Sequence, residues 1–316
     1  MESRMKAAVA LALAALYVIW GSTYLGIRFA LEGGWPPLLM AGSRFIVAGG
    51  LMYAALRLRG VPAPTRAQWP TIAAMGVLLL GFGNGMVCIA EQTVSSGLAA
   101  VAVASAPLWM AVFSALRGQR PTRMECVGLG IGFVGVVWLN AGSSLSASRI
   151  GLAALVLATI AWAFGSIWSR GRDLPSPFMT AAAQMLVGGV VMFVAGWLVG
   201  ERFHGMPTAK GWLSVAYLAG FGSIVAFSAY IWLLHNVRPV LASSYAYVNP
   251  AIAVLLGAWL AHERFSGSEL GAMGVILLGV VAITLAKAAK SKAGAPRVAA
   301  SVASNATATR ASGGDA

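Results

Sequence analysis

The chain has 316 residues, of which 59% are hydrophobic and only 10% carry a charge, and its mean hydropathy is +0.80. Soluble domains usually have about 25% charged residues, so this composition excludes a soluble globular protein and indicates an integral membrane protein. The apolar runs are long and lack the alternation of apolar and polar residues that marks barrel strands, so we expect an all-α protein.

Apolar segments of about 20 residues, the length that crosses a bilayer as a helix, recur along the chain. Turn-forming stretches separate them, for example GGWPP at 33–37 and DLPSP at 173–177. The first segment continues too far beyond Arg4 and Lys6 for a cleaved signal peptide, so we expect it to remain as a helix. We predict transmembrane helices at 8–28, 37–56, 71–91, 97–116, 124–140, 150–169, 178–200, 212–234, 241–261 and 268–286.

These predicted helices leave no room for a soluble catalytic domain, and the remaining residues, 287–316, form a basic, low-complexity tail that we expect to be disordered. The net charge of +13 raises the alternative of a nucleic-acid partner. However, most Lys and Arg residues fall in every second loop and near both ends of the chain. The positive-inside rule predicts this pattern for a protein with both termini in the cytoplasm, so we expect no nucleic-acid partner.

Each half of the chain carries the same ordered series of short sequences. The matching segments, at nearly one offset, are 41–53 with 181–193, 81–84 with 220–223, 105–107 with 248–250, and Glu125 with Glu269. Each match is weak alone, but together they predict two five-helix repeats, at 1–147 and 148–286. Because five is odd, the second repeat enters the membrane from the opposite side. Inverted repeats of this kind characterise secondary transporters, whose binding site lies at the midplane between the halves.

Two prolines, Pro107 and Pro250, occupy matching places near the middle of predicted helices. Each removes a backbone hydrogen bond, and a free carbonyl at membrane depth is tolerated only against protein or a water-filled cavity. A packed kink is the alternative interpretation, above all for Pro107. Beside Pro250, Tyr245 and Asn249 share one helical face, which favours a cavity there because polar groups in hydrocarbon are costly.

The same cost applies to the other polar side chains within the predicted helices. Each of them, like the deeper aromatic residues, either lines a central cavity or packs between helices. The candidates for a substrate-binding cavity are Trp20, Ser22, Tyr24, Arg44, Asn84, Glu91, Ser105, Trp109, Trp162, Ser166, Ser223, Tyr230, Tyr245 and Asn249.

Arg44 and Glu91 are the ionisable members of this set, and two interpretations fit them. They either pair with each other structurally, or Arg44 meets an anionic group of a substrate. The counterpart of Arg44 in the second repeat is the uncharged Gln184, so the repeat itself does not require an arginine. Glu91 is the one candidate for a coupling proton, but it lies near a helix end, which leaves uniport, exchange and proton antiport open.

Motifs that would indicate an enzyme or a cofactor fail on their context. GIGFVG at 130–135 lies within an apolar helix with no preceding strand, so it does not indicate a dinucleotide site. Cys88 and Cys126 have neither the spacing of a metal site nor an evident disulfide partner. We expect no cofactor, no metal and no enzymatic activity, while no pattern in the sequence fixes the oligomeric state.

Four segments resemble the EamA family of the drug/metabolite transporter superfamily. They are YVIWGSTYLGIRFALEGGWPPLLMAGSRFIVAGG (17–50), GNGMVCIAEQTVSSGLAAVAVASAPLW (83–109), IAWAFGSIWSR (160–170) and SSYAYVNPAIAVLLGAWLAHE (243–263). The resemblance covers residues 8–286 and implies ten helices in two inverted halves, a bacterial inner membrane, and export of amino acids, other metabolites or drugs. It also implies a central cavity lined by the helices that carry Trp20, Asn84, Trp162 and Tyr245.

We therefore expect a secondary-active or facilitative exporter of a small metabolite, working by alternating access, with the solute and membrane lipid as its partners. Aromatic side chains would shield an apolar part of the solute, while Asn84, Asn249 and serines orient its polar groups. A membrane receptor or chaperone-like helper that uses the same pocket without transport is the alternative.

Overall fold

The computed structural model describes residues 2–118, 122–142, 148–237, 245–282 and 285, and these residues form helices and loops without any β-strand. The predicted tail at 287–316 lies outside them. In chain order the helices are α1 Glu2–Glu32, α2 Pro37–Leu58, α3 Trp69–Ala90, α4 Ser96–Leu116, α5 Arg123–Gly142, α6 Arg149–Trp168, α7 Pro177–Leu198, α8 at 209–236, α9 Tyr245–Leu260 and α10 Gly267–Ala282.

Seven of these helices, α1 to α4 and α6 to α8, are long and apolar enough to cross a membrane. The predicted all-α, multi-pass architecture is therefore confirmed. Within the described residues α9 and α10 are apolar but shorter. Helix α5 is not among the described helices that are long and apolar enough to cross a membrane. Spans at 124–140, 241–261 and 268–286, and with them the total of ten, stay predictions.

Polar side chains begin the helices by satisfying backbone N–H groups that have no partner within the helix. Ser148 and Ser176 accept hydrogen bonds from the backbone at the starts of α6 and α7. The starts of α5 and α10 share a reciprocal arrangement in which a hydroxyl and a glutamate each accept from the other residue's backbone N–H. These pairs are Thr122 with Glu125 and Ser266 with Glu269.

Hydrogen bonds between loops show which ends of the helices lie together. At one end, the Glu201 carboxylate accepts from the backbone N–H of Leu38 at the start of α2, and Thr93 bonds Ser148 at 2.8 Å. At the other end, Gln68 donates to Asp173 at 3.2 Å. Consecutive helices therefore run in opposite directions through the bundle.

Helices of the first set, α1 to α5, pack mainly against helices of the second set, α6 to α10. Helix α2 packs along α7, and α4 along α9. The other contacts of these helices between the two sets come in matching pairs. The pairs are α1 with α9 and α6 with α4, α1 with α8 and α6 with α3, and α2 with α8 and α7 with α3. The pattern is unchanged when each helix of the first set is swapped with the helix five places later in the chain. The two sets therefore pack against each other in equivalent ways.

Glycines allow the closest of these approaches, since there is no side chain between the two backbones. A Cβ added at Gly42 of α2 would meet the backbone of Phe193 in α7, and one added at Gly189 of α7 would meet Ile46 of α2. Helices α5 and α10 touch in the same way at Gly279, where a Cβ would lie 2.5 Å from the Cα of Gly132.

This contact predicts that Gly279→Ala destabilises the protein by roughly 1–3 kcal/mol, because a methyl group must enter a space filled by backbone. Gly274→Ala is the matched control on the same helix, where an added Cβ has nothing within 4 Å. The control should be neutral or slightly stabilising, since alanine favours a helix by about 1 kcal/mol over glycine. Thermal unfolding of both purified variants in detergent measures the difference, and equal midpoints would contradict the close packing of α5 on α10.

Candidate functional site

A cavity of about 200 Å³ lies between the two sets of helices. Helices α1, α2, α3 and α4 contribute to its lining from one set, and α6, α8 and α9 from the other. The lining residues that the sequence pointed to are Trp20, Tyr24, Arg44, Asn84, Pro107, Trp162, Ser223, Tyr245, Asn249 and Pro250. We call this space the central cavity.

The helices that surround the central cavity depart from regular geometry beside it. Helix α3 has a π-helical segment at Gly76–Asn84, and α8 has one at Leu218–Val225. Helix α4 is interrupted at Ala104 and Ser105, and it resumes with proline in its new first turn. Helix α9 carries Pro250 in its interior. Each departure leaves backbone groups without their regular partners, and such groups at membrane depth require protein or a cavity beside them.

Matching residues of the two sets both line the central cavity. Trp20 of α1 faces the same space as Trp162 of α6, and their offset is close to that of the sequence repeats. Asn84 and Ser223 form a second pair, one at each π-helical segment. Pro107 and Pro250 form the third. Equivalent positions of the two sets of helices therefore contribute to the lining. We call this arrangement the duplicated frame.

Aromatic rings form one wall of the cavity. The Trp20 ring lies 4.9 Å from the ring of Tyr245, which also lines the cavity, and 5.4 Å from that of Tyr230, which is not part of the lining, measured between centroids. The indole N–H of Trp20 donates to the carbonyl of Gly222 at 3.1 Å, next to the π-helical segment of α8. This bond ties α1 of the first set to α8 of the second and holds the aromatic wall in place.

Three polar side chains face the cavity from other directions. Arg44 donates from Nη2 to Asn84 Oδ1 at 3.2 Å, which links α2 to α3. Asn249 on α9 is buried, and its Oδ1 has no hydrogen-bond partner within the described part of the chain. Among the lining residues that the structure describes, Arg44 is the only one that carries a charge.

A direct ion pair between Arg44 and Glu91, one of the two interpretations of the sequence, is wrong. The Arg44 guanidinium bonds Asn84, and both carboxylate oxygens of Glu91 lack a hydrogen-bond partner among the described residues. Glu91 also lies outside the central cavity, because it follows the last turn of α3 and lines a second cavity nearer the loops.

Other candidates lie beside the central cavity rather than in its lining. The Ser22 hydroxyl bonds the carbonyl of Val18 and the hydroxyl of Tyr217, which keeps it between helices. The Ser105 hydroxyl donates to a carbonyl at the break in α4. Behind the lining are also Trp109, which packs on Phe133, Tyr230, which packs on Trp20, and Ser166.

Sequence reasoning missed several lining residues, among them Thr159 and Phe227. Helical spacing gave a usable signal for both, since Thr159 lies three residues before Trp162 and Phe227 four residues after Ser223. The lining also includes small residues such as Gly83 and Gly222. These carry no chemical signal, and only the packing of the helices places them at the cavity.

A second cavity of about 980 Å³ lies at the end of the bundle where Glu201 and Thr93 make their bonds. We call it the loop cavity, and its lining includes Arg28, Glu91 and Glu263. None of its lining residues lines the central cavity. The buried side chains of Ile27 and Leu98 lie at this boundary, the first in the central lining and the second in the loop lining.

Glu263 holds this boundary together from the loop between α9 and α10. Its Oε1 accepts from Arg28 Nη1 at 3.0 Å and from the backbone and hydroxyl of Ser96 at 2.7 Å, while Oε2 accepts from Gly97 N at 3.1 Å. The left-handed backbone of His262 (φ 52°) ends α9 and turns the chain so that Glu263 reaches the start of α4. One buried carboxylate thus joins α1, α4 and α9.

A helical membrane bundle with a small cavity between two interlocked sets of helices is an architecture found among solute transporters. The model of the EamA-like transporter family matches residues 6–141 and again residues 149–285. The chain therefore belongs to the EamA-like transporter family, and the resemblance seen in the sequence is confirmed.

Relatives of this family are similar along most of their length. The chain is 48% identical over 277 residues to the inner membrane transporter YedA of Escherichia coli (strain K12), covering 87% of the chain and 90% of that protein. It is 27% identical to the transporter YvbV of Bacillus subtilis (strain 168), covering 93% and 97%. A crystal structure of a protein at 22% identity matches with a TM-score of 0.62 and covers 88% of this chain and 98% of the other, which shows a shared fold.

The cavity predicts a difference in thiol reactivity between two cysteine substitutions. In a background with Cys88→Ala and Cys126→Ala, Ser223→Cys should react several-fold faster with a small methanethiosulfonate reagent than Thr180→Cys. Both residues are buried, but Ser223 lines the central cavity, whereas Thr180 lies in α7 outside the cavity lining. Mass spectrometry of the purified protein follows the modification, and equal rates would contradict a cavity that small molecules enter at Ser223.

Proposed function

We propose that this protein is a secondary-active or facilitative transporter that exports a small metabolite by alternating access to the central cavity. The observation that carries the proposal is the position of this cavity. It lies between the two sets of helices and is bordered by every described break in helical regularity. A site between two halves can open to either side when one half rocks against the other.

The proposed topology has ten transmembrane helices in two inverted halves, with both termini in the cytoplasm of a bacterium and the protein in its inner membrane. The symmetric pairing of helices supports two halves, and the distribution of Lys and Arg residues supports the orientation. The similar protein YedA is named as an inner membrane transporter, and this similarity supports the proposed location in the inner membrane. In this topology the loop cavity faces the periplasm.

The network at Glu263 supports alternating access because it closes one side. The Glu263 carboxylate is buried and bonds Arg28 and the start of α4, so it seals the central cavity from the loop cavity. An ion pair that also receives backbone hydrogen bonds is stable when formed, yet a modest helix movement can break it and expose both charges to water. We assign this network as the periplasmic closure.

The solute is small and largely apolar. The central cavity of about 200 Å³ is below the roughly 300–1,000 Å³ of pockets for drug-sized ligands, and most of its lining is apolar or aromatic. Amino acids or related metabolites, the class implied by the family resemblance, fit this space. The same pocket would serve a receptor or helper that does not transport, and accumulation of solute separates these functions.

Transport by the purified protein tests the proposal. A host that overexpresses the chain is challenged with a panel of toxic amino-acid analogues and antimicrobial compounds, and a protected compound is then prepared in radiolabelled form. Proteoliposomes that contain the protein should move this compound across the membrane faster than empty liposomes do. Binding without any flux would instead favour the receptor or helper.

Asn249→Leu should abolish this flux while insertion and folding are retained. Leucine has nearly the same size, but it removes the unpartnered Oδ1 that Asn249 presents to the cavity. Asn236→Leu is the control, because Asn236 is exposed at the end of α8. Initial rates in proteoliposomes, together with size-exclusion profiles, give the comparison. Normal flux in Asn249→Leu would remove this residue from the site.

Glu263→Ala should open the closure. In cells, the cavity cysteine Ser223→Cys should then react faster with a membrane-impermeant thiol reagent added outside, because the Arg28 and α4 contacts are lost. Glu32→Ala is the matched control, since Glu32 also binds Arg28 but its side chain is 43% exposed and its hydrogen bonds among the described residues go to Arg28 and Lys210 rather than to α4. If both variants react at the same rate, Glu263 does not close the cavity.

A further inference from the structure

Arg44 lines the central cavity and holds hydrogen-bond donors that have no acceptor among the described residues. Its side chain is only 4% exposed, and Nη2 donates to Asn84 Oδ1. The Nε and Nη1 groups have no hydrogen-bond partner among the described residues. A buried guanidinium with free N–H groups is costly, because it has lost water without gaining acceptors. The described residues around the central cavity therefore supply no hydrogen-bond acceptor for Nε and Nη1 of Arg44.

Nearby groups hold the guanidinium without completing its hydrogen bonds, and the guanidinium carbon lies 4.3 Å from the centre of the Phe45 ring. Asn84 Oδ1 accepts from Arg44 and is also approached by the Cys88 thiol at 3.6 Å, so this oxygen is already engaged. The carboxylate of Glu91 lines the loop cavity and bonds neither Arg44 nor another described residue. Nε and Nη1 of Arg44 thus remain without an acceptor among the described residues, in a side chain that lines the space where a solute would lie.

A second lining residue, on the other set of helices, holds the complementary group. Asn249 on α9 holds an unpartnered oxygen, Oδ1, at the same cavity, and its side chain is also buried. A solute with both an anionic acceptor and a hydrogen-bond donor would satisfy both residues. Trp20 and Trp162 then lie beside the apolar part of the solute.

The duplicated frame shows that the arginine is not needed for packing alone. Arg44 lies on α2, and the matching position on α7 is Gln184, which is equally buried and uncharged. The residue that matches Asn249 is Ala106, at the break in α4. The positive charge at the first position and the amide at the second therefore each occur in one half only, as expected of a site that binds an asymmetric solute in one orientation.

We infer that Arg44 anchors the carboxylate of the transported solute and that Asn249 accepts a hydrogen bond from an amine or hydroxyl of the same solute. The inference rests on the proposed function, since it assigns a substrate class to that site. The planar guanidinium matches the two oxygens of a carboxylate. A single positive charge balances a monoanion, whereas a phosphate dianion would place an unbalanced negative charge in a cavity whose described lining holds no second cation.

Equilibrium binding tests this inference without any need for flux. The full-length protein in detergent is titrated with a panel of small aliphatic and aromatic amino acids and hydroxy acids, each next to its carboxamide, and its melting temperature is followed. At least one acid should raise the melting temperature while its carboxamide does not. Acids and carboxamides that act alike would overturn the inference, and this comparison needs no variant.

Variants then assign the effect to Arg44. Arg44→Gln should weaken binding of the identified acid roughly 10- to 100-fold, the range expected for loss of a charge-assisted hydrogen bond. Arg44→Lys keeps the charge without the planar fork and should bind at an intermediate level. Arg66→Gln, at an exposed arginine between α2 and α3, should bind as the wild type does. Unchanged affinity in Arg44→Gln would overturn the assignment.

Transport measurements separate failure of this inference from failure of the proposed function. If the wild type and Arg44→Gln carry a neutral solute equally well and carboxylates do not bind, the protein is a transporter and Arg44 is not an anchor. If carboxylates bind through Arg44 but no solute crosses the membrane, the site is assigned correctly and the transport function is wrong.

Discussion

The constraint that organises this protein is the need to satisfy every backbone polar group without water. In a bilayer a regular helix meets this need by itself, and irregular backbone is tolerated only against protein or a cavity. The π-helical segments at Gly76–Asn84 and Leu218–Val225, the break before Ala106 and the proline within α9 all border the central cavity. The cavity and the irregular backbone therefore depend on each other, and movement at the cavity does not require an intact helix to be broken.

Buried charges appear in two different states in this bundle. Glu263 is fully engaged by Arg28, Ser96 and Gly97, so its charge stabilises a contact between helices. Arg44 is bonded on one side only and keeps two donors free at the cavity. A satisfied buried pair holds one arrangement of helices, whereas an unsatisfied buried charge favours the binding of a partner. In the proposed function, the same chemistry thus provides a closure at Glu263 and a binding determinant at Arg44.

The cavity combines a duplicated frame with chemistry that is not duplicated. Trp20 and Trp162, or Pro107 and Pro250, occupy equivalent places because both sets of helices fold in the same way. Arg44 and Asn249 have no polar equivalent in the lining. A symmetric frame allows two mirrored arrangements of similar energy, which alternating access requires, while asymmetric polar groups give the solute a fixed orientation. Substitution of polar lining residues in one set of helices can therefore change which solute is bound without changing the fold.

The sequence by itself determined the all-α membrane class, most helix positions and the family, because hydrophobic length and turn residues are local properties. It also identified residues whose polarity is costly in hydrocarbon, including Arg44, Asn84, Tyr245 and Asn249. It could not tell a cavity from an interface between helices. Ser22 and Trp109 have the same chemical signal as the lining residues, yet helix rotation directs Ser22 to Tyr217 and Trp109 to Phe133. Only the tertiary structure placed Glu91 in the loop cavity and brought Glu263 to the start of α4, because both depend on contacts between segments that are distant in the chain.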